Sequence, residues 1–403
     1  MKSNAMKILV LSRILPNSSD MNRGIYVFRQ SKALSSICSI DVVAPIAFWD
    51  RIKSSIGRCK KVNKIEYIDG LEIQHPIYFH IPGIFRNMNG FFMFLSLYFY
   101  HKNRHQNHKW DVILSHFAYP DGFFAVLLGK ALGIPVFISC LGSDINSLAN
   151  KISTKKMIKW ALGESEKVFV VSNSLKNKII EIGIRKEKVV VVNNGIEINK
   201  YFVRDKEDFK KYYKIPKGDK IILYVGRLSK EKGVDVLIKA FSFIKDLNIK
   251  LYIVGGGPQE KILLRQAERL GLMDRIKFLG HMHHSEIPNL MNVADLFVLP
   301  SRSEGYPNVL LEALACGIPV LATDVGGITE IINNENLGII VAADDPIQMA
   351  QGIYSALSKE WDRELLVKRV QHQSWEWSAQ KLFLAITEPS CIENSSRYMK
   401  ASC

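Results

Sequence analysis

Glu304-Gly-Tyr-Pro-Asn-Val-Leu-Leu-Glu312 sets two acids eight residues apart, with the start of a helix between them. Pro307 suits the first helical position, where its missing N–H is not needed, and Gly317 followed by Pro319 suits the stop. Val309, Leu310, Leu311, Ala313, Leu314 and Ala315 make the segment apolar nearly all round, as a buried helix requires. Glu312 is therefore expected where a bare carboxylate is costly, so hydroxyls, amides or a cation must satisfy it. Glu304 falls in the loop before the helix, and the amides near Asn308 and Val309 point out of its N-terminus, which is an anion site. Acids that grip hydroxyls beside amides that grip phosphate suit a sugar attached to a diphosphate. Glu304 would then face an open cleft and Glu312 one wall of it. On spacing alone, a surface acid plus an ion-paired helix acid stays as the alternative.

The 403 residues, 47% hydrophobic, are ample for two domains with full cores. Apolar runs at 7–11, 112–114, 135–138, 168–171 and 189–192 alternate with helix-length segments. A charged, strand-poor stretch covers about 200–220, and the pattern restarts at 221–225, 251–254, 296–299 and 320–322. Strands alternating with helices mean a doubly wound parallel sheet, so two α/β domains are expected, with ligands beyond the carboxyl ends of the strands in the cleft where the sheets face.

Basic residues follow the second domain's first strand in Gly226-Arg227-Leu-Ser-Lys230-Glu-Lys232-Gly233. Arg227 as a bidentate fork and Lys232 as a point charge could both reach a diphosphate, although an exposed loop also carries such charges. Gly255-Gly256-Gly257-Pro258 follows the next strand and permits close backbone approach to a ligand, or simply a tight turn. In the first domain, Gly24 lies beyond the first strand, where an amide could face phosphate. His116 directly follows the run 112–114, at a strand's carboxyl end, in Ser115-His116-Phe-Ala-Tyr119-Pro120-Asp121-Gly122. There it can orient a hydroxyl beside an Asp, or merely cap the turn. Leu141-Gly142-Ser143-Asp144 adds polar groups to the same rim, and Asp144 equally fits a helix N-cap.

These residues together resemble the family 4 (group 1) glycosyltransferases of GT-B fold, from about residue 6 to 385. Gly226-Arg227…Lys232-Gly233, Gly255-Gly-Gly-Pro258, Phe278-Leu-Gly280, Ala294-Asp295, Glu304…Glu312 and Gly317-Ile-Pro-Val320 occur in the family's order. Asn194-Gly195-Ile196 is similar to its hinge strand, and Ser374-Trp375-Glu-Trp377 to the start of the C-terminal helix that crosses back onto the first domain. The resemblance implies two Rossmann-like domains: an acceptor domain over 1–200, a nucleotide-sugar domain over 201–371, and a crossover helix over about 372–388, with 389–403 expected as a disordered tail. It implies that Arg227 and Lys232 bind the donor diphosphate, Glu312 the nucleotide ribose and Glu304 the sugar hydroxyls. His116 would lie against the transferred sugar, with Tyr119, Asp121 and Asp144 on the acceptor side, and the backbone around 278 to His281 would hold the base. Gly24 and Gly256 complete the donor contacts. Arg23 departs from the pattern, where many members have a second glycine, and so does Glu197, where Asp is usual.

The family further implies retention of anomeric configuration. A double displacement needs a carboxylate nucleophile about 5 Å from its partner acid, and nothing in the sequence points to one. Front-face transfer is the expectation, with Arg227, Lys232 and helix amides stabilising the departing diphosphate. The chain contains no Asp-x-Asp, so neither metal nor cofactor is expected. The resemblance implies a nucleotide-sugar donor, with UDP favoured as the commonest nucleotide of the family.

Charge speaks to the acceptor. Residues 1–200 hold 28 Lys and Arg against 14 Asp and Glu, nearly all of the chain's net +15. A basic run at 51–64, and Phe91-Phe-Met-Phe-Leu-Ser-Leu-Tyr-Phe-Tyr100 followed by Lys102, Arg104 and Lys109, suit an anionic membrane surface, although the apolar run is too short to span one. A core helix with a solvated basic flank is the alternative. No nucleic-acid motif accompanies the charge. A peripheral protein on the cytoplasmic face of the plasma membrane is expected, acting on a lipid-linked or polysaccharide acceptor. The pair Tyr119-Pro-Asp-Gly122 and Gly142-Ser-Asp144 is most similar to glycosyltransferases of bacterial surface-polysaccharide assembly. Six cysteines without Cys-x-x-Cys, and an apolar start interrupted by Arg13, suggest a reducing cytosol. His281, His283 and His284 lack the clustered Cys or acids of a metal site. A dinucleotide oxidoreductase is discounted, because Ser12-Arg13-Ile14 stands where Gly-x-Gly-x-x-Gly would begin. A non-catalytic sugar-nucleotide sensor and a GT-B epimerase keep the same motifs.

Overall fold

The computed structural model describes residues 6–55, 62–80, 88–148 and 152–388. The chain divides into two compact units, Met1–Asn194 with Trp375–Cys403, and Gly195–Ser374. The divisions thus fall at 194/195 and 374/375, rather than at 200/201 and 371/372. The expected tail, 389–403, lies outside the described residues.

The first unit carries β1 (Lys7–Leu11), β2 (Ser39–Val43), β3 (Ile46–Ala47), β4 (Ile65–Ile68), β5 (Leu71–Gln74), β6 (Ile77–Tyr78), β7 (Val112–His116), β8 (Val136–Cys140), β9 (Lys167–Val170) and β10 (Val189–Val191). Eight of these form a sheet in the order β10-β9-β8-β7-β1-β2-β5-β4, while β3 and β6 pair separately. Every pairing in the large sheet is parallel except β4 with β5. Asp69 (φ 46°) and Gly70 (φ 81°) join those two strands, so the antiparallel edge comes from a two-residue Asp-Gly hairpin. β7 and β8 are buried at every position, which accounts for the apolar runs Val112–Leu114 and Val136–Ile138 that open them.

The second unit carries β11 (Lys220–Val225), β12 (Ile249–Val254), β13 (Ile276–Gly280), β14 (Leu296–Leu299), β15 (Val320–Thr323) and β16 (Gly338–Val341), all parallel, in the order β13-β12-β11-β14-β15-β16. The strand order reverses between β1 and β7 in the first unit and between β11 and β14 in the second. Each reversal opens a crevice outside the carboxyl ends of those strands, where ligands of doubly wound sheets bind.

The helix Trp375–Thr387 completes the core of the first unit. Trp375, Ala379, Leu382, Ala385 and Ile386 are buried in one cluster with Phe28, Leu34, Val42 and Phe169. Ser378, fully buried, donates to the Asn193 carbonyl (2.8 Å) and accepts from Gln30 Nε2 (3.1 Å).

Candidate active site

In the second unit, the loops after β11 and β14 meet at the switch point. Lys232 Nζ lies 2.7 Å from Glu304 Oε1, and the Ser301 hydroxyl donates to the same oxygen at 2.6 Å. The two loops touch through backbone as well. A Cβ on Gly233 (φ 63°) would sit 1.9 Å from the Pro300 carbonyl oxygen. The loop after β15 clamps the same segment, since Thr323 Oγ1 donates to Ser301 O (2.5 Å), Gly327 N–H donates to Gly305 O (3.0 Å), and a Cβ on Gly326 would lie 2.1 Å from Glu304 O. Arg302 binds Asp235 through two nitrogens (2.8 and 2.7 Å) and Asp344 through Nε (2.6 Å), which ties the Glu304 loop to the helix Val234–Phe241. Ser301, Arg302, Thr323 and Gly326 were missed in the sequence. Only the Gly326-Gly327 pair carried a local signal, because the other contacts are long-range.

Arg227 is exposed, and its carbonyl accepts from the buried Tyr224 hydroxyl at 3.0 Å. Burial, with the charges of Glu304 and Glu231, pushes that hydroxyl's pKa far up and keeps it a neutral donor. Glu231 is held below the usual carboxylate range by the Ser229 hydroxyl, and then by the cations Lys232 and Arg227. The glycines 255–257 serve the neighbouring loop. Leu228 N–H donates to Gly256 O (3.0 Å), and a Cβ on Gly255 would lie 1.9 Å from Gly226 O. The expected close approach is thus made to protein backbone. His281, exposed at the end of β13, stands over Gly256, where a Cβ would come within 2.6 Å of its Nε2.

The helix Asn308–Ala315 begins one residue later than expected, with Pro307 as the flanking residue rather than the first helical one. No side chain caps that N-terminus and no acid occupies its first turn. Gly317 (φ 68°) ends the helix in the left-handed conformation. Glu312 is 6% exposed, Val309 half-buried and Asn308 buried, with Asn308 Nδ2 donating to Gly195 O at 2.8 Å. Among the described residues, no group of three or more His, Cys, Asp or Glu could hold a metal ion.

In the first unit, His116 ends β7 at the switch point, 1% exposed, with neither ring nitrogen hydrogen-bonded. Burial lowers its pKa to about 4, so the ring is neutral. The expected Asp beside it is engaged elsewhere. Asp121, 1% exposed, accepts from Arg13 N–H (2.7 Å) and Arg13 Nε (3.3 Å). Asp144, also buried, accepts from Ala118 N–H (2.9 Å) and Gly142 N–H (3.0 Å), so it braces the loop after β7 instead of offering a free group on the rim. Tyr119 is buried at 5%. Gly24 (φ 60°) starts the helix Ile25–Ser35, and a Cβ there would lie 2.0 Å from Ile14 O, so backbone packing alone demands glycine. A cavity of about 340 Å³ opens beyond β1, β2 and β5, lined among others by Arg13, Arg23, Asp50, Arg51, His75 and Tyr78.

The run 91–100 lies in the helix Asn89–His108, which buries only Gly90, Met93, Leu97 and His101. Phe91, Leu95 and Phe99 are 39%, 57% and 69% exposed on one face. Lys102 sits over the Tyr98 ring and Arg104 over the Tyr100 ring. The helix thus packs one face, through Met93, Leu97 and His101, into the unit and leaves a second apolar strip, Phe91, Leu95 and Phe99, in solvent. No helix among the described residues is long and apolar enough to cross a membrane. Of the basic run 51–64, residues 56–61 lie outside the described residues.

Residues 205–373 match the family model "Glycosyl transferases group 1", and residues 64–200 match "Glycosyltransferase Family 4". The chain is 30% identical to N-acetyl-alpha-D-glucosaminyl L-malate synthase of Bacillus anthracis, over 67% of this chain and 71% of that one. It is 29% identical to a putative teichuronic acid biosynthesis glycosyltransferase of Bacillus subtilis, over 81% and 83%. Among solved structures, Anabaena HepE in complex with UDP has the same fold, with a TM-score of 0.67 at 20% identity, covering 99% of this chain and 100% of that one.

Proposed function

The chain belongs to the group 1 glycosyltransferases and has the GT-B fold, and on that premise we propose that it transfers a sugar, with retention, from a UDP-sugar to a lipid-linked or polysaccharide acceptor in cell-surface glycan synthesis. The observation that carries the donor assignment is the meeting of Lys232 and Glu304 at the second unit's switch point, with Arg227 exposed on the same loop. Arg227 and Lys232 receive the diphosphate, joined by the uncapped N-terminus of Asn308–Ala315. Glu304 takes the sugar hydroxyls and Glu312 the ribose. As the glycosidic bond breaks, the negative charge growing on the leaving diphosphate meets these fixed donors, and a diphosphate oxygen takes the acceptor hydroxyl's proton. This assigns charge neutralisation to side chains and needs no metal, in keeping with the absence of Asp-x-Asp. His116, neutral, contributes as a hydrogen-bonding group. What supports uridine is the UDP in the structurally similar HepE; what supports a surface glycan is the name of the teichuronic acid relative.

The acceptor belongs to the first unit, whose 340 Å³ cavity holds both arginines and aspartates. The exposed face of Phe91, Leu95 and Phe99, with the exposed Lys102 on the same side of the helix, supports peripheral attachment to the anionic inner surface of the plasma membrane.

A thermal-shift panel of UDP, GDP, ADP and CMP, each with and without attached sugar, on wild type and Glu312→Ala tests the donor. At 100 Kd the linkage is about 2.7 kcal/mol, a shift of several degrees. Stabilisation by UDP that is lost in the variant is expected. No shift with any nucleotide would overturn the assignment.

A further inference from the structure

The second unit has another cavity, of about 250 Å³, at the opposite edge of its sheet. Lys220 opens β11, while Asp295 and Pro319 immediately precede β14 and β15, and all three line it. The loops proposed to hold the donor leave the other ends of these strands. Strands of four to six residues at about 3.3 Å per residue separate the two places by roughly 13–20 Å.

The charge in this cavity does not balance. Its lining has four cations, Lys206, Lys220, Lys359 and Arg363, and one acid, Asp295. Both oxygens of that acid are engaged, one by Lys206 Nζ and the other by Ile221 N–H, each at 2.7 Å. The remaining cations meet only neutral groups, carbonyl oxygens and, for Lys359, the Trp361 ring at 4.6 Å. Lys220 reaches Leu357 O (3.0 Å), Lys359 reaches Glu335 O (2.8 Å), and Arg363 reaches Gly317 O (3.3 Å). Among the described residues, no carboxylate forms an ion pair with any of these three. Arg363 complements the C-terminal carbonyls of Asn308–Ala315 and Lys220 those of the helix Pro346–Ser358, but each helix end carries only about half a negative charge, so the three cations stay in net excess. Lys206 has its pKa lowered chiefly by its own burial, against the opposing pull of Asp295, with smaller contributions from the charges of Lys210 and Arg363.

We propose that this cavity is a second anion site, separate from the donor loops, which takes a phosphate monoester. Two ammonium groups and one guanidinium fork from three different elements converge on a space of phosphate-ester size, and a dianion there relieves their mutual repulsion.

The test uses the full chain carrying Arg227→Ala and Lys232→Ala, so that the donor loops cannot account for anion binding. Inorganic phosphate, glucose 6-phosphate and glucose are titrated by calorimetry into this protein, and into the same protein with Lys220→Ala and Lys359→Ala added. Both lysines are exposed, so their loss leaves the core intact, and matching circular dichroism melts check this. Glucose 6-phosphate and phosphate are expected to bind and glucose not to, with affinity falling about tenfold or more when the lysines are removed. Absence of anion binding in the first protein, unchanged affinity in the second, or exclusion of glucose 6-phosphate while phosphate binds would each overturn the proposal.

Discussion

Lys232 Nζ sits 2.7 Å from Glu304 Oε1, with side chains 27% and 8% exposed, so the cation and the acid of the proposed donor site are preorganised against each other. Replacing either Lys232 or Arg227 by Ala should lower kcat by roughly a hundredfold or more. Lys232→Ala also leaves Glu304 with only the Ser301 hydroxyl among these two partners. A melting temperature lowered by a few degrees, from a cost of about 1–2 kcal/mol, should therefore accompany the kinetic loss. Steady-state kinetics and a melt on the same preparation check both, and near wild-type turnover in both variants would remove the donor assignment.

Gly326→Ala places a Cβ 2.1 Å from the Glu304 carbonyl oxygen at φ 60°. Either Glu304 shifts or the strain is stored, so we expect a cost of about 2 kcal/mol or more, with reduced turnover. Gly70→Ala is the control, since its Cβ meets nothing within 4 Å. Only left-handed strain, about 1 kcal/mol, should appear there, with activity unchanged. Denaturant titrations of the two variants separate clash from strain.

His116 and His101 are both buried with pKa values lowered to about 4 by desolvation. Because the folded values lie below the unfolded one, the unfolded chain binds more protons between about pH 4 and 6.5, and stability present above about pH 6.5 is lost as pH falls. Each histidine contributes up to about 3 kcal/mol to this slope. Melting temperatures should fall between pH 7 and pH 5, less steeply in His101→Leu, and the His116 ring proton should show no NMR inflection near 6.5. A His116 resonance titrating near 6.5 would contradict neutral burial.

Ser378 joins the C-terminal helix to both Asn193 and Gln30. Ser378→Ala should destabilise by about 1–3 kcal/mol, because the buried Gln30 amide and the half-buried Asn193 carbonyl each lose a partner. Ending the chain after Ser374 should abolish soluble expression, since Trp375, Leu382 and Ile386 leave the first unit's core. A soluble, cooperatively folding truncation would show that the helix is dispensable.

Leu95 and Phe99 are exposed, so Leu95→Glu with Phe99→Glu should leave the melting temperature unchanged while weakening binding to anionic vesicles at low salt. Equal sedimentation of variant and wild type with such vesicles would rule out this face as the attachment surface.

Sequence determined what short-range physics controls. Uninterrupted apolar runs marked the buried strands, Glu304 and Glu312 were legible as acids flanking a helix start, and Gly317 marked that helix's end. The hairpin of β4 and β5 was equally legible in Asp69-Gly70 but went unread among charged neighbours. The partners of each charge and the reason for several glycines came only from tertiary structure, whereas the division at Asn194/Gly195 falls within the hinge segment legible in Asn194-Gly195-Ile196. Asp121 stands five residues from His116, yet it pairs with Arg13, 108 residues away. Gly24 and Gly255 look like phosphate-binding glycines, yet each lies against a backbone carbonyl of a different loop. Periodicity and caps are properties of adjacent residues, whereas an ion pair or a Cβ clash depends on which distant segments the strand order brings together. No local pattern encodes that order.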